Sequence, residues 1–444
     1  MGSTQRLGTV FTKLQRISEL AKQDPTLRFT SLAHLLDQEL LGEAYWRLRK
    51  DASPGVDGLT AQEYEQNLEG NLQDLHRRLR EGRYRAQPVR RVYIEQEGKR
   101  RPLGVPALED KIVQKAVTLV LEAIYEEDFL PCSYGYRPGR GPQDALEAVS
   151  RAIVLGKVNY VLDVDIKAYF ENVVHERLME LIQRRISDRS LLRLIGKWLH
   201  VGVLEEGRLL PTTKGTPQGA VISPVLANVY LHYVLDEWME TVMRPRLRGE
   251  MHLLRYADDA IICFQHREDA EQVVSMLRTR LAEYGLELHE DKTRLIAFGR
   301  FAEERVQRQG QKKPLTFDFL GFTHICARSQ KGKFTVHVRT ARKRMKRAMR
   351  RVAEWCQRNR HLPVEEQHRA LSRILTGHYA YYGRRTNLLS LCQFFRFVKK
   401  IWRKWLQRRA QRRRFTWSAY DGFLRRHPLP RPRITQRAAS GSGS

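Results

Sequence analysis

The chain is short of cysteine, of acid and of long apolar runs. Its five cysteines, Cys132, Cys263, Cys326, Cys356 and Cys392, stand singly, with no Cys-x-x-Cys or Cys/His spacing. An odd set of scattered thiols makes no disulfide framework, and without ligand spacing it makes no zinc module. Free thiols in a reducing cytoplasm are the expectation. No stretch reaches the roughly 18 consecutive apolar residues of a membrane-spanning helix. The start lacks a basic segment leading into an apolar one, so a secretory signal is not expected. Acid is scarce beside base: 50 Asp and Glu against 79 Lys and Arg, a formal net charge of +29 over 444 residues. A surplus of that size points to a polyanionic partner, chiefly nucleic acid. A basic membrane-binding protein is the rival, but there is no lipidation signal and no detached basic amphipathic helix. With 42% hydrophobic residues, the chain can build about two or three domains with cores of their own.

What is present is most telling at Tyr256-Ala257-Asp258-Asp259. The mostly apolar or aromatic stretch His252–Tyr256 precedes the acids, and Ala260-Ile261-Ile262-Cys263-Phe264 follows them. Apolar runs around a polar turn predict a β-hairpin with the acidic pair at its tip. Adjacent carboxylates on a rigid turn suit a hard divalent cation, although Asp-Asp in a loop is also a common solvated turn. A second strand, Val158–Ile166, carries Asp163 and Asp165 among apolar residues, and its period of two puts both acids on one face. These acids could instead cap the helical segment predicted over Glu171–Ile182. A strand-end acid roughly ninety residues before an Asp-Asp hairpin is the arrangement of a two-metal nucleotidyl transferase. There two cations about 3.5–4 Å apart bridge carboxylates and substrate phosphates.

Helical periodicity covers Thr12–Lys22 and Leu32–Arg49. A loop rich in Asp, Ser, Pro and Gly follows at Asp51–Gly58. Residues 59–158 mix helices with a hairpin, Val89–Ile94 to Arg101–Val105, turned at Glu97-Gly98-Lys99. Residues 159–334 alternate strands and helices, an α+β pattern. Beyond Thr335 the chain reads as successive helices: one lined by basic residues including Arg342 and Arg347, then Val364–Tyr382, then Leu388–Arg409, a bundle. The last of these interleaves Lys399, Lys400, Arg403 and Lys404 with Trp402 and Trp405. The cations can neutralise phosphates, and the tryptophans either stack on bases or form the buried face of the helix. Residues 411–437 read as a short basic tail and 438–444 as an appended Ser/Gly linker.

Between the acidic motifs lies Gly215-Thr216-Pro217-Gln218-Gly219-Ala220, a tight turn entering an apolar helix. With it the order of motifs resembles the reverse transcriptases of bacterial group II introns, over about Phe29 to Ile434. The matching blocks are Pro54–Gly58, Arg101–Pro106, Tyr134–Arg140, the Asp163/Asp165 strand, Pro217-Gln218-Gly219, the Tyr-Ala-Asp-Asp hairpin, Leu288–Thr293 and Phe319–Phe322. The resemblance implies a right-hand polymerase. Its parts would be an N-terminal helical extension (1–50), fingers (51–158), a palm (159–334), a helical thumb (335–410) and a DNA-binding-like tail (411–437). No His/Asn-rich nuclease module follows, although many members of the family carry one.

The resemblance also implies roles. Asp165, Asp258 and Asp259 become the metal-site carboxylates, and the backbone carbonyl of Ile166 completes one shell. The family's bulky residue that excludes a ribose 2′-hydroxyl lies five positions after its catalytic Asp. That spacing gives Phe170 from Asp165 but Ala168 from Asp163, which favours Asp165. Arg101 occupies the position of a fingers arginine on the triphosphate. The family's fingers lysine is replaced in Ile94-Glu95-Gln96, leaving Lys99 or Arg100 as substitutes. Gln218, Gly219 and Lys292 correspond to nucleotide-side positions. Ala220 stands where a second glycine is usual, and Gly321 matches the primer-grip turn. Two Mg²⁺ ions, with Mn²⁺ as a substitute, are the implied cofactors. RNA template, DNA or RNA primer, dNTPs and structured intron RNA are the implied partners, in a bacterial cytoplasm without membrane. The same enzyme adopted for phage defence, CRISPR-associated acquisition or DNA repair is the alternative. An RNA-binding splicing maturase with an idle polymerase site is the alternative of another class.

Overall fold

Helices and strands alternate along the chain, giving a mixed α+β protein. The computed structural model describes residues 3–96, 99–205, 208–210, 214–216, 219–308, 310, 313–409 and 416–436, with backbone alone at 3–7, 9, 96, 99, 101, 209 and 409. The strands in chain order are β1 (Val89–Gln96), β2 (Lys99–Val105), β3 (Tyr160–Asp165), β4 (Val203–Glu205), β5 (Arg208–Leu210), β6 (Met251–Tyr256), β7 (Asp259–Phe264), β8 (Arg294–Ala297), β9 (Phe317–Phe319), β10 (Phe322–Arg328) and β11 (Phe334–Thr340). The chain packs as two units, Met1–Ala145 with Leu162–Leu295, and Leu146–Val161 with Ile296–Ser444. No described helix is long and apolar enough to cross a membrane.

The first unit is built around the helix Leu108–Asp128. Ile112, Val113, Ala116, Val117, Val120, Leu121, Ile124 and Tyr125 form a broad, fully buried apolar stripe. With Lys111, Gln114, Thr118 and Leu119 buried on the other side, the middle of the helix is covered all round. The helices Ser3–Gln23 and Gln38–Arg47 pack on it. The helix predicted over Leu32–Arg49 is interrupted for one local and one distant reason. Asp37 caps a new start at Gln38, its carboxylate accepting from Leu40 N at 2.9 Å. Asp188 meanwhile holds the preceding turn through Leu32 N and Ala33 N, at 2.6 and 2.7 Å.

One sheet of this unit has the order β2-β1-β4-β5 and contains the predicted β1–β2 hairpin. Its strands run on to pair Gln96 with Lys99, so Lys99 belongs to β2 and not to the turn. Glu97 and Gly98 lie outside the described residues. The other sheet has the order β6-β7-β3-β8. Ala260 to Phe264 of β7 are buried, as a strand covered on both faces requires. The segment predicted over Glu171–Ile182 is two helices, Tyr169–Asn172 and His175–Ile182. The β-branched Val173 and Val174 between them take non-helical backbone, ψ 119 and 121°. Downstream of the helix Ser223–Leu231, the backbone winds as π-helix at His232–Asp236 and Met239–Met243. Such insertions are frequent at functional sites.

The second unit holds the antiparallel sheet β11-β10-β9 and the helices Arg342–Arg358, Val364–Tyr382 and Leu388–Arg409. The last two helices have the bounds their periodicity predicts. Their apolar stripes meet in a core of Leu371, Leu375, Tyr379, Phe394, Val398 and Trp402. Trp402 Nε1 donates to Gln367 Oε1 at 3.0 Å, so the indole is satisfied inside the protein. Trp402 and Trp405 are both buried, which decides between the two roles open to them: they are core and not stacking platforms. Residues 416–436 add the helix Trp417–Arg426 to this bundle. Tyr420 is buried and donates to Lys399 O at 3.0 Å. Arg412, Arg413 and Arg414 lie outside the described residues.

Candidate active site

Asp165 is the last residue of β3. Its backbone is held at the strand end: His289 N donates to Asp165 O at 2.8 Å and Lys167 N to Glu287 O at 2.9 Å. Those two bonds flank the bridge between Ile166 and Leu288, so that bridge does not consume the Ile166 carbonyl. Lys292 Nζ lies 3.2 Å from each oxygen of the Asp165 carboxylate. Asp163 is bridged by Arg294 at 3.5 Å.

The second pair of acids arises from the β6–β7 hairpin. Tyr256 pairs with Asp259, leaving Ala257-Asp258 as a two-residue turn. Such short turns demand positive φ, and Ala257 has φ 57°. Beneath the turn lies Gly135, where an added methyl would meet Ala257 N at 2.3 Å. Only a glycine lets that segment lie this close. Arg255, one residue before Tyr256, is fully buried with its carboxylate partner Asp236. It donates from Nε to Asp236 Oδ1 at 2.8 Å and from Nη2 to Oδ2 at 2.6 Å. Its Nη1 also reaches Asn228 Oδ1 at 3.0 Å and Ala257 O at 2.9 Å, and its Nη2 reaches Ser133 Oγ at 2.8 Å.

Asp165, Asp258 and Asp259 line one cavity of about 700 Å³, together with Ile166, Phe170, Gly219, Lys292 and Tyr136. Phe170 is half-buried, while Tyr169 behind it is buried and donates to Ala227 O at 2.7 Å. The two rings meet edge to face at 5.2 Å. The backbone of Phe170 is fixed from the far side, since Thr216 N donates to its carbonyl at 2.8 Å. Gly219 has φ 104°, and an added methyl there would meet Gly104 O at 2.7 Å. Its neighbour Ala220 is not in the left-handed region, so the methyl in place of a second glycine is accommodated. Gln218 and the side chain of Arg101 lie outside the described residues; the backbone of Arg101 pairs with Ile94.

Tyr136 falls in the matching block Tyr134–Arg140, but the sequence reading gives it no role at the site. Burial pushes its phenol up, and the charges of Asp258, Tyr256 and Asp259 push the same way, which puts the hydroxyl in the field of the acidic turn. Tyr136, Ala168 and Ala257 are three of the four non-glycine residues with positive φ among the described residues. Tyr136 and Ala168 line this cavity, and Ala257 directly precedes Asp258, which lines it. Strained backbone gathers at functional sites, and a motif search does not register it.

Among the described residues, no group of three or more His, Cys, Asp or Glu side chains is gathered tightly enough to hold a metal. The donor chemistry nevertheless fits a hard divalent cation: carboxylate oxygens from two strands face one cavity, and such ions are held by few carboxylates plus substrate oxygens. Positive charge is already drawn to Asp165, where Lys292 supplies it.

In the second unit, Arg342, Lys400 and Lys404 are exposed, and Arg347, Lys399 and Arg403 are half-buried. Lys399 Nζ is 3.9 Å from Asp421. The Arg403 guanidinium lies 4.1 Å over the Trp417 ring.

The profile of the reverse transcriptase (RNA-dependent DNA polymerase) family matches residues 93–324, a span that includes Asp165, Phe170, Asp258, Asp259 and Lys292. Protein YkfC of Escherichia coli is 35% identical over 288 residues, 57% of this chain and 75% of that protein. The group II intron-encoded protein LtrA of Lactococcus lactis subsp. cremoris is 37% identical over 222 residues, 49% of this chain and 37% of LtrA. Nuclear intron maturase 4, mitochondrial, of Arabidopsis thaliana is 29% identical over 148 residues, 33% of this chain and 18% of the maturase. The match thus spans well under half the length of LtrA and of the maturase. With the family profile matched over more than half of its residues, the chain belongs to the reverse transcriptase family, and its relatives include group II intron-encoded proteins.

Proposed function

We propose that the chain is an RNA-directed DNA polymerase of the group II intron type that also binds intron RNA in support of splicing. The observation that carries this reading is the convergence of Asp165, from the end of β3, with Asp258 and Asp259, from the β6–β7 turn, on one cavity that also holds Phe170 and Lys292. Residues 1–50, 51–158, 159–334, 335–410 and 411–437 take the places of N-terminal extension, fingers, palm, thumb and basic tail. The basic helices carry Arg342, Arg347, Lys399, Lys400, Arg403 and Lys404 toward RNA phosphates.

In the reaction, the three carboxylates and the Ile166 carbonyl present fixed oxygens where the primer 3′-end and the incoming triphosphate meet. The chemistry that a pair of Mg²⁺ or Mn²⁺ ions supplies when held there is stabilisation of the attacking and leaving oxygens. Lys292 can leave Asp165 and accompany the negative charge of the triphosphate, because its side chain is more than half exposed, at 57%. The ring of Phe170, backed by Tyr169, fills the space that a 2′-hydroxyl would need. Gly219 lets the turn lie directly against the backbone of Gly104 at the edge of the site. Arg101 and Gln218 act on the nucleotide. Positioning and charge stabilisation account for the rest.

Primer extension on an RNA template tests the reading, with dNTPs against rNTPs and Mg²⁺ against EDTA. Metal-dependent DNA synthesis is expected. Asp258→Ala should lower it by at least about 100-fold, in the range seen when a group stabilising developing charge is removed, while RNA affinity stays within about twofold. Equal extension by the folded variant would mean a differently placed site, and no metal-dependent synthesis by the wild-type protein would mean an idle one.

A further inference from the structure

Resting on the polymerase reading, the structure points to a positioning residue that none of the sequence motifs singles out. We propose that Arg255, locked against Asp236, sets the conformation of the acidic turn and thereby the affinity of the site for its divalent cations. Arg255 touches neither the cavity nor its lining carboxylates directly, so its action is through the backbone.

Four observations converge. The guanidinium is fully buried, as is its partner Asp236. Such a pair is strongly disfavoured unless every donor is matched, and here the ring of acceptors is unusually complete. Two donors go to the carboxylate of Asp236 and one each to Asn228 Oδ1 and Ser133 Oγ. The remaining one goes to Ala257 O, at 2.9 Å, the carbonyl that leads into Asp258. Second, Ala257 has φ 57°, a conformation an alanine holds only when the surroundings over-determine it. The bond from Arg255 to Ala257 O is such a constraint.

Third, the acceptors outside the turn come from two separate stretches of chain, one continuous helical run and the segment around Ser133. Asp236 lies in the π-wound helix His232–Asp236 and Asn228 in the helix Ser223–Leu231. Ser133 belongs to the segment that runs beside β6, where Arg255 N donates to Cys132 O at 2.8 Å and Tyr134 N to Arg255 O at 2.9 Å. Fourth, that segment is itself seated under the turn. Asn228 Nδ2 donates to Gly135 O at 2.7 Å, and Gly135 is too close to Ala257 N to carry a side chain. A planar, five-donor fork suits this task and an ammonium does not, because lysine cannot serve so many fixed acceptors at once.

Arg255→Lys and Ser133→Ala make the test, with Asp258→Ala as reference. Ser133→Ala removes one bond and leaves the buried ion pair whole, so it stays informative if Arg255→Lys does not fold. Two readouts are needed. One is Mn²⁺ binding to the nucleic-acid-free protein by electron paramagnetic resonance. The other is the Mg²⁺ concentration giving half-maximal primer extension. Ser133→Ala is expected to raise the Mn²⁺ dissociation constant and the half-maximal Mg²⁺ concentration by about threefold and Arg255→Lys by tenfold or more, each with RNA affinity unchanged. A merely structural role would lower melting temperature and leave the metal affinity of the folded fraction where it was. Wild-type Mn²⁺ affinity and Mg²⁺ dependence in folded Ser133→Ala and Arg255→Lys, beside an inactive Asp258→Ala, would overturn the proposal while leaving the polymerase reading intact. An Asp258→Ala protein that binds Mn²⁺ and extends primers normally would instead remove the reading on which the proposal rests.

Discussion

Lys292 spans both oxygens of Asp165, its Nζ 3.2 Å from each. The pair joins the residue that closes β3 to a lysine 127 positions later in the chain. It places a cation where the proposed chemistry calls for one. Removing that charge should favour a competing cation. Lys292→Met is expected to tighten Mn²⁺ binding to the nucleic-acid-free protein by about fivefold. That is the modest end of the Coulomb range, as the exposure of the lysine requires. A Mn²⁺ titration followed by electron paramagnetic resonance decides; weaker binding would mean that Lys292 orients Asp165 instead of competing for it.

Sugar selection should depend on Phe170. Its ring faces the cavity and is backed by Tyr169, whose hydroxyl is anchored on Ala227 O. Phe170→Val should therefore raise the efficiency of ribonucleotide relative to deoxyribonucleotide incorporation by about tenfold or more, in line with 1–3 kcal/mol for a steric change in a pocket. Competitive incorporation assays measure the ratio. Unchanged selectivity in a variant that still polymerises would move the gate to another residue.

The basic helix of the second unit should set salt dependence. Replacement of Lys399, Lys400, Arg403 and Lys404 together by Gln should flatten the slope of log affinity against log salt by about one to three units, given about 0.7 per phosphate contact on a single strand. The range is wide because Lys399 sits near Asp421 and Arg403 over Trp417, whereas Lys400 and Lys404 are exposed. RNA-binding isotherms at several salt concentrations check it. An unchanged slope would transfer the RNA surface to the helix Arg342–Arg358.

Asp110 should give the fold a distinct pH signature. Burial pushes its carboxyl up to about 6, against donation from Tyr84 and Gln87 N, which pull it down. The folded value lies above the unfolded one, so the folded state binds the extra proton. The stabilisation this confers is complete below the unfolded value near 3.8 and is lost as pH rises through about 6. Two units correspond to about 3 kcal/mol at most. In urea unfolding between pH 4 and 7, the stability of Asp110→Asn relative to wild type should rise over that window. A difference independent of pH would assign the carboxylate a normal titration.

Several features of this protein were determined by sequence alone. The hairpin around Asp258 and the strand ending at Asp165 are local: alternation and apolar runs around a turn specify them whatever packs nearby. The helices Val364–Tyr382 and Leu388–Arg409 are likewise written in their periodicity, as is the polyanion-seeking charge of +29. Other features were decided by tertiary structure. The helix predicted over Leu32–Arg49 breaks because Asp188, more than 150 residues away, takes the amides of Leu32 and Ala33. Trp402 and Trp405 face the core because the neighbouring helices cover them; helical spacing alone allows either face to be wet. The residues that support the acidic turn, Ser133, Asn228, Asp236 and Arg255, come from three segments distant in sequence. No local pattern announces them, since a buried arginine and an exposed one read alike until the chain has folded around its charge.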